Sequence, residues 1–191
     1  MRNRASAVSS APGRGGSFGL RRVATFLIDY LVVALWMGLL FLASGPLGLG
    51  ALMGRSPALQ HAAAFLTLTL PVLLYVAAFE ASAWRGTVGR RLAGLRVERT
   101  DGERAGPLRT LVRNGVKLLP WEIAHAALHR VEGWPLDPAP PGPWHWAAWI
   151  TALLLSTTWF ATAMIGSTPY DRLSGTVVRR RGPAPTRGGR R

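Results

Sequence analysis

Three apolar blocks, Val23 to Ala43, Ala62 to Ala83 and Trp146 to Gly166, dominate the sequence; each is about 20 residues long and holds at most one charged side chain. Wound as a helix at roughly 1.5 Å per residue, such a block is about 30 Å long, the thickness of the bilayer's hydrocarbon core. Core helices and buried strands of water-soluble domains are usually shorter. The blocks therefore predict an all-α, polytopic transmembrane bundle. The chain also carries 23 Lys plus Arg against 9 Asp plus Glu, a formal net charge of +14. In a soluble domain that imbalance would point to nucleic acid, but a composition that is 49% hydrophobic and gathered in blocks excludes that class and assigns the charge to the segments between spans.

Basic residues in short loops set orientation, because they stay on the cytoplasmic side. The N-terminal segment holds Arg2, Arg4, Arg14, Arg21 and Arg22, whereas the first loop, Ser44 to His61, holds only Arg55. Seven more lie between Arg85 and Arg109 and another seven between Asp171 and Arg191. Three spans alone would put the last group outside. A fourth membrane element over about Leu108 to Arg130 removes the conflict. It is too polar to face lipid, since it contains Arg113, Lys117, Glu122, His125 and His129, but it is tolerated inside a bundle or as a re-entrant segment. Val131 to His145, rich in Pro and Trp and free of Lys and Arg, reads as an outer loop. Both termini are then cytoplasmic. Residues 1–20 and 179–191 read as disordered basic tails around a membrane domain at 21–178. The first block is too long for the core of a signal peptide and no small-residue cleavage site follows it. Arginine in place of lysine nearly everywhere, with 22 Gly and 14 Pro, suggests a high-GC bacterial genome and hence the inner membrane.

Cysteine is absent, which excludes disulfides, thiolate metal sites and a Cys nucleophile. No phosphate-binding loop, nucleophile elbow or His-Glu-x-x-His motif occurs, so neither an enzyme nor a cofactor is expected. The chemistry that remains lies in polar residues at membrane depth. Asp29 follows Arg22 by seven residues, close to two turns, so the two share a helix face with Asp29 roughly 10 Å deeper. An unpaired carboxylate there costs several kcal/mol, which leaves two readings: a structural pair with Arg22, or a proton or cation site. Glu80 reads as an interfacial packing residue that answers a following arginine. Pro71 is expected to kink the second span. Glu122, His125 and His129 fall on one face if a new helical segment starts at Pro120, a spacing used for metals, although no other membrane helix offers a histidine. A polar stripe lining the bundle is the alternative. Leu95 to Arg104, with an Asp101-Gly102 turn, reads as a short cytoplasmic hairpin. The neighbouring Gly86-Thr-Val-Gly-Arg-Arg-Leu-Ala-Gly94 has the glycines and cations to meet a lipid phosphate, which makes the bilayer and anionic headgroups the expected partners.

Four separated pieces, Arg21-Arg-Val-Ala-Thr-Phe-Leu-Ile-Asp-Tyr30, Gly86 to Gly102, Arg113, and Pro169-Tyr-Asp-Arg-Leu-Ser-Gly-Thr-Val-Val178, occur in the order seen in the RDD family of bacterial membrane proteins, which this chain resembles. The family takes its name from one arginine and two aspartates. By motif position these correspond to Arg22, Asp29 and Asp171, with Asp101 a rival for the last. Two departures stand out: Arg90-Arg91 where the family has Lys-Arg, and Tyr170 where it has His. The resemblance implies a small helical membrane protein of largely uncharacterised role, with cation/proton exchange proposed for some members. On that basis Asp29 would be an embedded carboxylate partnered by Arg22, and Asp171 would pair with Arg172 or with Arg90 and Arg91 to close the cytoplasmic face. Four elements are too few for alternating access by a monomer, so transport would require a homo-oligomer. The other expectation is a non-transporting scaffold with a basic, lipid- or partner-binding inner face.

Overall fold

The computed structural model describes residues 15–48, 51 and 56–181. Seven α-helices and two strands follow in the order α1 (Gly15–Ala43), α2 (Pro57–Ala64), a π-helical turn (Phe65–Thr69), α3 (Leu70–Ala81), α4 (Val88–Leu92), β1 (Leu95–Arg99), α5 (Pro107–Leu128), α6 (Pro143–Ile165), α7 (Pro169–Ser174) and β2 (Thr176–Arg180). Helix starts are written locally. Pro is the first residue of α2, α5, α6 and α7, where its missing N–H costs nothing and its fixed φ suits a helix. Thr87 and Thr168 cap α4 and α7 through their side-chain oxygens.

Three helical stretches, Gly19–Ala43, Pro57–Ala81 and Pro143–Ile165, are long and apolar enough to cross a membrane. α5 matches them in length with 22 residues but is too polar to read as a span by composition. It is the centre of the bundle, packed between α3 and α6, while α1 lies against α6 and α4. The bundle is apolar outside and polar inside. Leu31, Leu35, Phe41, Leu153 and Phe160 are exposed, whereas Glu80, Thr110, Arg113 and Asn114 are at most 1% exposed. That inversion is stable only where the outer surface meets lipid and each inner polar group finds a partner.

Several expectations are corrected here. The second and third spans begin at Pro57 and Pro143, earlier than their apolar blocks, which brings His61 and His145 into helices. α5 runs unbroken through Pro120, so no new segment starts there. Leu95 to Arg104 does not form a two-stranded hairpin: the Asp101-Gly102 turn closes, with Arg99 N donating to the Glu103 carbonyl at 2.8 Å and Gly102 at φ 89°, but β1 takes β2 as its antiparallel partner, and Val97 stands opposite Val178. Leu95, Val97 and Val178 bury one another in a small apolar cluster, an opportunity that the charged residues after the turn do not offer. The fold is thus nearly all-α, with one two-stranded sheet. α1 starts at Gly15 and β2 runs to Arg180, so both elements cross the boundaries drawn at 20 and 179; residues 1–14 and 182–191 lie outside the described residues.

Pro71 has no N–H to offer the Thr67 carbonyl, its acceptor in a regular α-helix; a π-helical turn immediately precedes it, and that carbonyl accepts from Trp36 Nε1 on α1 at 3.0 Å. The contact joins α1 to the second span at the end of the bundle opposite the sheet.

Candidate functional site

One buried network of charges gathers the chain beside the sheet. Glu80, near the end of α3 and 0% exposed, accepts from Arg113 Nη1 at 2.9 and 3.0 Å and from Asn114 Nδ2 at 2.9 Å, both on α5, and also pairs with Arg90 of α4. Arg113 reaches the other way through Nε to Asp171 Oδ1 at 2.8 Å. Thr168 Oγ1 donates to Asp171 Oδ2 at 2.6 Å, and the Tyr170 ring lies 5.1 Å from the Arg113 guanidinium carbon. Two carboxylates and two guanidiniums therefore lock α3, α4, α5 and α7 with no net charge, the condition under which buried ions are tolerable. Burial alone would raise the Asp171 carboxyl, but Arg113 and the Thr168 hydroxyl outweigh it and hold Asp171 below its usual range. For Arg90, burial and then the like charge of Arg113 pull the guanidinium down.

Asp29 does a different job. It accepts from Thr87 Oγ1 at 2.6 Å and from Gly89 N at 3.0 Å, so the carboxylate of α1 holds the N-terminus of α4. α4 comes so close that a Cβ at Gly89 would sit 2.5 Å from the Thr25 carbonyl oxygen, which makes glycine a steric requirement there. Arg22 donates to the Ala163 carbonyl on α6 at 2.9 Å. The two side chains expected to face each other are thus sent to different elements. Arg21 donates to the Ala93 carbonyl at 2.9 Å, which ties the start of α1 to the same end of the bundle.

A cavity of about 810 Å³ lies between α1, α3, α5 and α6, reaching from this network towards Met37 and Trp149. Its walls are mostly apolar. Arg22, Asp29, Lys117, Asp171 and the network's arginines line it, and Lys117 stands one helical turn beyond Arg113. Lys117 makes no hydrogen bond or ion pair with any described residue.

The remaining candidates lie elsewhere. Asp171 pairs with Arg113 rather than with Arg172, Arg90 or Arg91, because α7 turns its carboxylate inward; Arg172 Nε donates to Ser167 Oγ instead. Arg91 lies over the Trp84 ring at 4.2 Å. Asp101 is on the exposed turn and pairs with Arg99, away from the network. Glu122, His125 and His129 share one face of α5 at the far end: Glu122 accepts from Thr69 Oγ1 at 2.5 Å and lies 3.3 Å from His61 Nε2, and the His61 and His129 rings are 5.8 Å apart. A histidine from another membrane helix therefore does reach this face, contrary to the sequence reading. No group of three or more His, Cys, Asp or Glu among the described residues is arranged to hold a metal.

Glu80, Arg113 and Asn114 form the core of the site. The sequence singles out Glu80 only as an interfacial packing residue and Arg113 only as a motif piece in the polar fourth element, and Asn114 not at all; Glu80 does answer a following arginine, Arg90, but it is fully buried and also takes Arg113 and Asn114 from α5. Among known proteins, no curated protein and no solved structure matches the chain. The model of the RDD family, by contrast, matches residues 17–175, from the first turns of α1 to the end of α7. That match takes in every element of the bundle and the Arg22, Asp29 and Asp171 positions, and the chain belongs to the RDD family of membrane proteins.

Proposed function

We propose that the protein assists proton movement coupled to a small cation, with Asp29 and Lys117 as the exchanging groups. One observation carries the reading: Lys117 lines the cavity with no hydrogen bond or ion pair among the described residues, while Arg90 and Arg113 are each paired with a carboxylate. Asp29 supplies a carboxylate to the same cavity, so an amine and a carboxyl group, each able to carry a proton, face one space. The protein acts without a cofactor and as a homo-oligomer, since four elements offer one path and no second half to alternate against. In liposomes carrying a pH-sensitive dye, addition of Na⁺ or K⁺ should collapse an imposed proton gradient, and Lys117→Met should slow that collapse on the order of tenfold or more. No flux from well-folded protein would sink the reading.

The orientation belongs to the same proposal. The start of α1, the sheet and α7 sit at one end with most of the arginines, which supports a cytoplasmic location for that end in a bacterial inner membrane. Leu136 in the 129–142 segment is 79% exposed, and the chain has no native cysteine. Leu136→Cys should react with an impermeant thiol reagent applied to intact cells; labelling only after lysis would reverse the topology.

A second reading is a scaffold whose basic inner face holds anionic lipid or a partner. It is favoured by the exposed Arg21, Arg91, Arg172, Arg180 and Arg181 at that end. Lipid capture without ion flux would select it.

A further inference from the structure

Four arginines and a tryptophan surround a cleft of about 310 Å³ beside the sheet: Arg85, Arg91, Arg96, Arg181 and Trp84. No carboxylate lines it. The nearest one, Glu98, is 2% exposed and is shared by Arg85 at 3.5 Å, Arg96 at 2.8 Å and Arg179 at 3.1 Å. One buried carboxylate thus answers three guanidiniums. Arg91 is held by stacking on Trp84, and Arg181 by donating from Nη2 to the Trp84 carbonyl at 2.6 Å; neither has an ion pair among the described residues. The cleft therefore keeps a surplus of positive charge.

Two further features show that the cleft is built. Arg85 adopts φ 53°, a left-handed conformation that glycine takes freely and other residues rarely do, so the chain accepts strain at the position that carries one of the four guanidiniums. Its carbonyl is fixed by Val97 N at 2.6 Å, which ties the turn after α3 to the sheet. The Arg181 N–H donates to the Gly94 carbonyl at 2.8 Å and brings the end of β2 to the rim. Strand pairing across the length of the chain thus gathers arginines from three segments. Trp84 follows the inner end of α3 and is 41% exposed, which sets the cleft at headgroup depth if the second span crosses the membrane.

We infer that this cleft binds a phosphate group through the forks of Arg85, Arg91, Arg96 and Arg181, with Trp84 as its floor. Planar guanidiniums meet phosphate oxygens bidentately, and an indole at an interface presents an apolar face beside a polar edge. The phosphate belongs either to an anionic lipid of the adjacent leaflet or to a soluble phosphate compound. The inference rests on the second reading of the basic face and is independent of ion movement, so absence of flux leaves it standing.

The test uses the purified full chain in a neutral detergent. Binding of short-chain phosphatidylglycerol, short-chain phosphatidylcholine, inorganic pyrophosphate and sulfate is measured by calorimetry. Phosphatidylglycerol or pyrophosphate should bind at least about tenfold more tightly than phosphatidylcholine and sulfate. Preference for the lipid over pyrophosphate identifies a headgroup as the source; the reverse preference identifies a soluble phosphate. The paired change Arg91→Ala, Arg181→Ala removes two guanidiniums that neutralise no buried carboxylate. It should weaken binding about tenfold or more with the helical circular dichroism unchanged. Arg172→Ala removes an exposed arginine at the same end but outside the cleft and should change affinity less than about twofold. Should the double variant not fold, Arg91→Lys, Arg181→Lys keeps the charge while losing the forks, and a smaller weakening of about threefold or more is expected of it. Equal losses in the cleft variants and in Arg172→Ala, or no binding of either phosphate probe, would overturn the inference.

Discussion

Replacing Glu80 by alanine should destabilise the bundle by roughly 3–5 kcal/mol, the usual cost of stripping the counter-ion from a buried guanidinium. Two guanidiniums and one amide converge on this carboxylate, so the change takes the shared acceptor from Arg90 and Arg113 and leaves the Asn114 amide only the Thr110 carbonyl. Arg90 is 7% exposed and Arg113 1% exposed, so water cannot take the place of Glu80 without opening the packing of α4 against the bundle. Asp171 offers only partial compensation, because it already engages the Nε side of Arg113. Glu80→Gln should cost less, since the amide oxygen still accepts hydrogen bonds while the charge is lost. Thermal unfolding in detergent, followed by circular dichroism, reads both variants. An alanine variant within about 1 kcal/mol of the parent would mean that the network does not hold the bundle together.

Arg113→Met should have an effect of similar size and a distinctive pH signature. In the parent, the depressed Asp171 carboxyl contributes stability that is fully present above the unfolded value of about 3.9 and is lost as pH falls through the lower folded value. The parent should therefore be insensitive to pH in this respect between about 7 and 4 and weaken only in stronger acid. Without Arg113, the burial that disfavours the charged form is opposed only by the Thr168 hydroxyl and the charge of Arg22, so the Asp171 carboxyl should move up and the loss of stability on acidification should shrink or reverse. Melting temperatures measured from pH 7 down to 3 test this. Parallel curves for parent and variant would separate Asp171 from Arg113 energetically, against a contact of 2.8 Å.

Much of the architecture is legible along the chain because hydropathy sums over neighbours. The three blocks coincide with three of the four long helices, and the shift of Pro57 and Pro143 into helices follows from a preference of Pro for first turns that a hydropathy window does not contain. The fourth element is legible only through charge. Its polar residues make sense under the expectation, drawn from the distribution of arginines, that the N- and C-terminal segments share one side. The sheet was missed for a physical reason: β1 has two candidate partners, the charged stretch after the Asp101-Gly102 turn and the distant Thr176-Val-Val, and only the second brings an apolar residue to cover Val97. Nothing local to β1 records that choice.

The candidate site divides in the same way. Arg22, Asp29 and Asp171 were accessible from motif position, but their partners were not. Asp29 is joined to Gly89 across 60 residues and Arg113 to Asp171 across 58, and each bond depends on which helix neighbours which. Proximity in sequence suggested Arg22 for Asp29 and Arg172 for Asp171. The fold sent both carboxylates to other elements, and it set Lys117 in the cavity wall without an ion pair among the described residues. What the chain by itself determined was a membrane bundle with a polar fourth element, because transfer from water to lipid is decided residue by residue and adds up along a helix. Which charges neutralise one another was decided only by tertiary structure, because a buried ion is stabilised by the groups that surround it in space, and here those groups come from four separate helices.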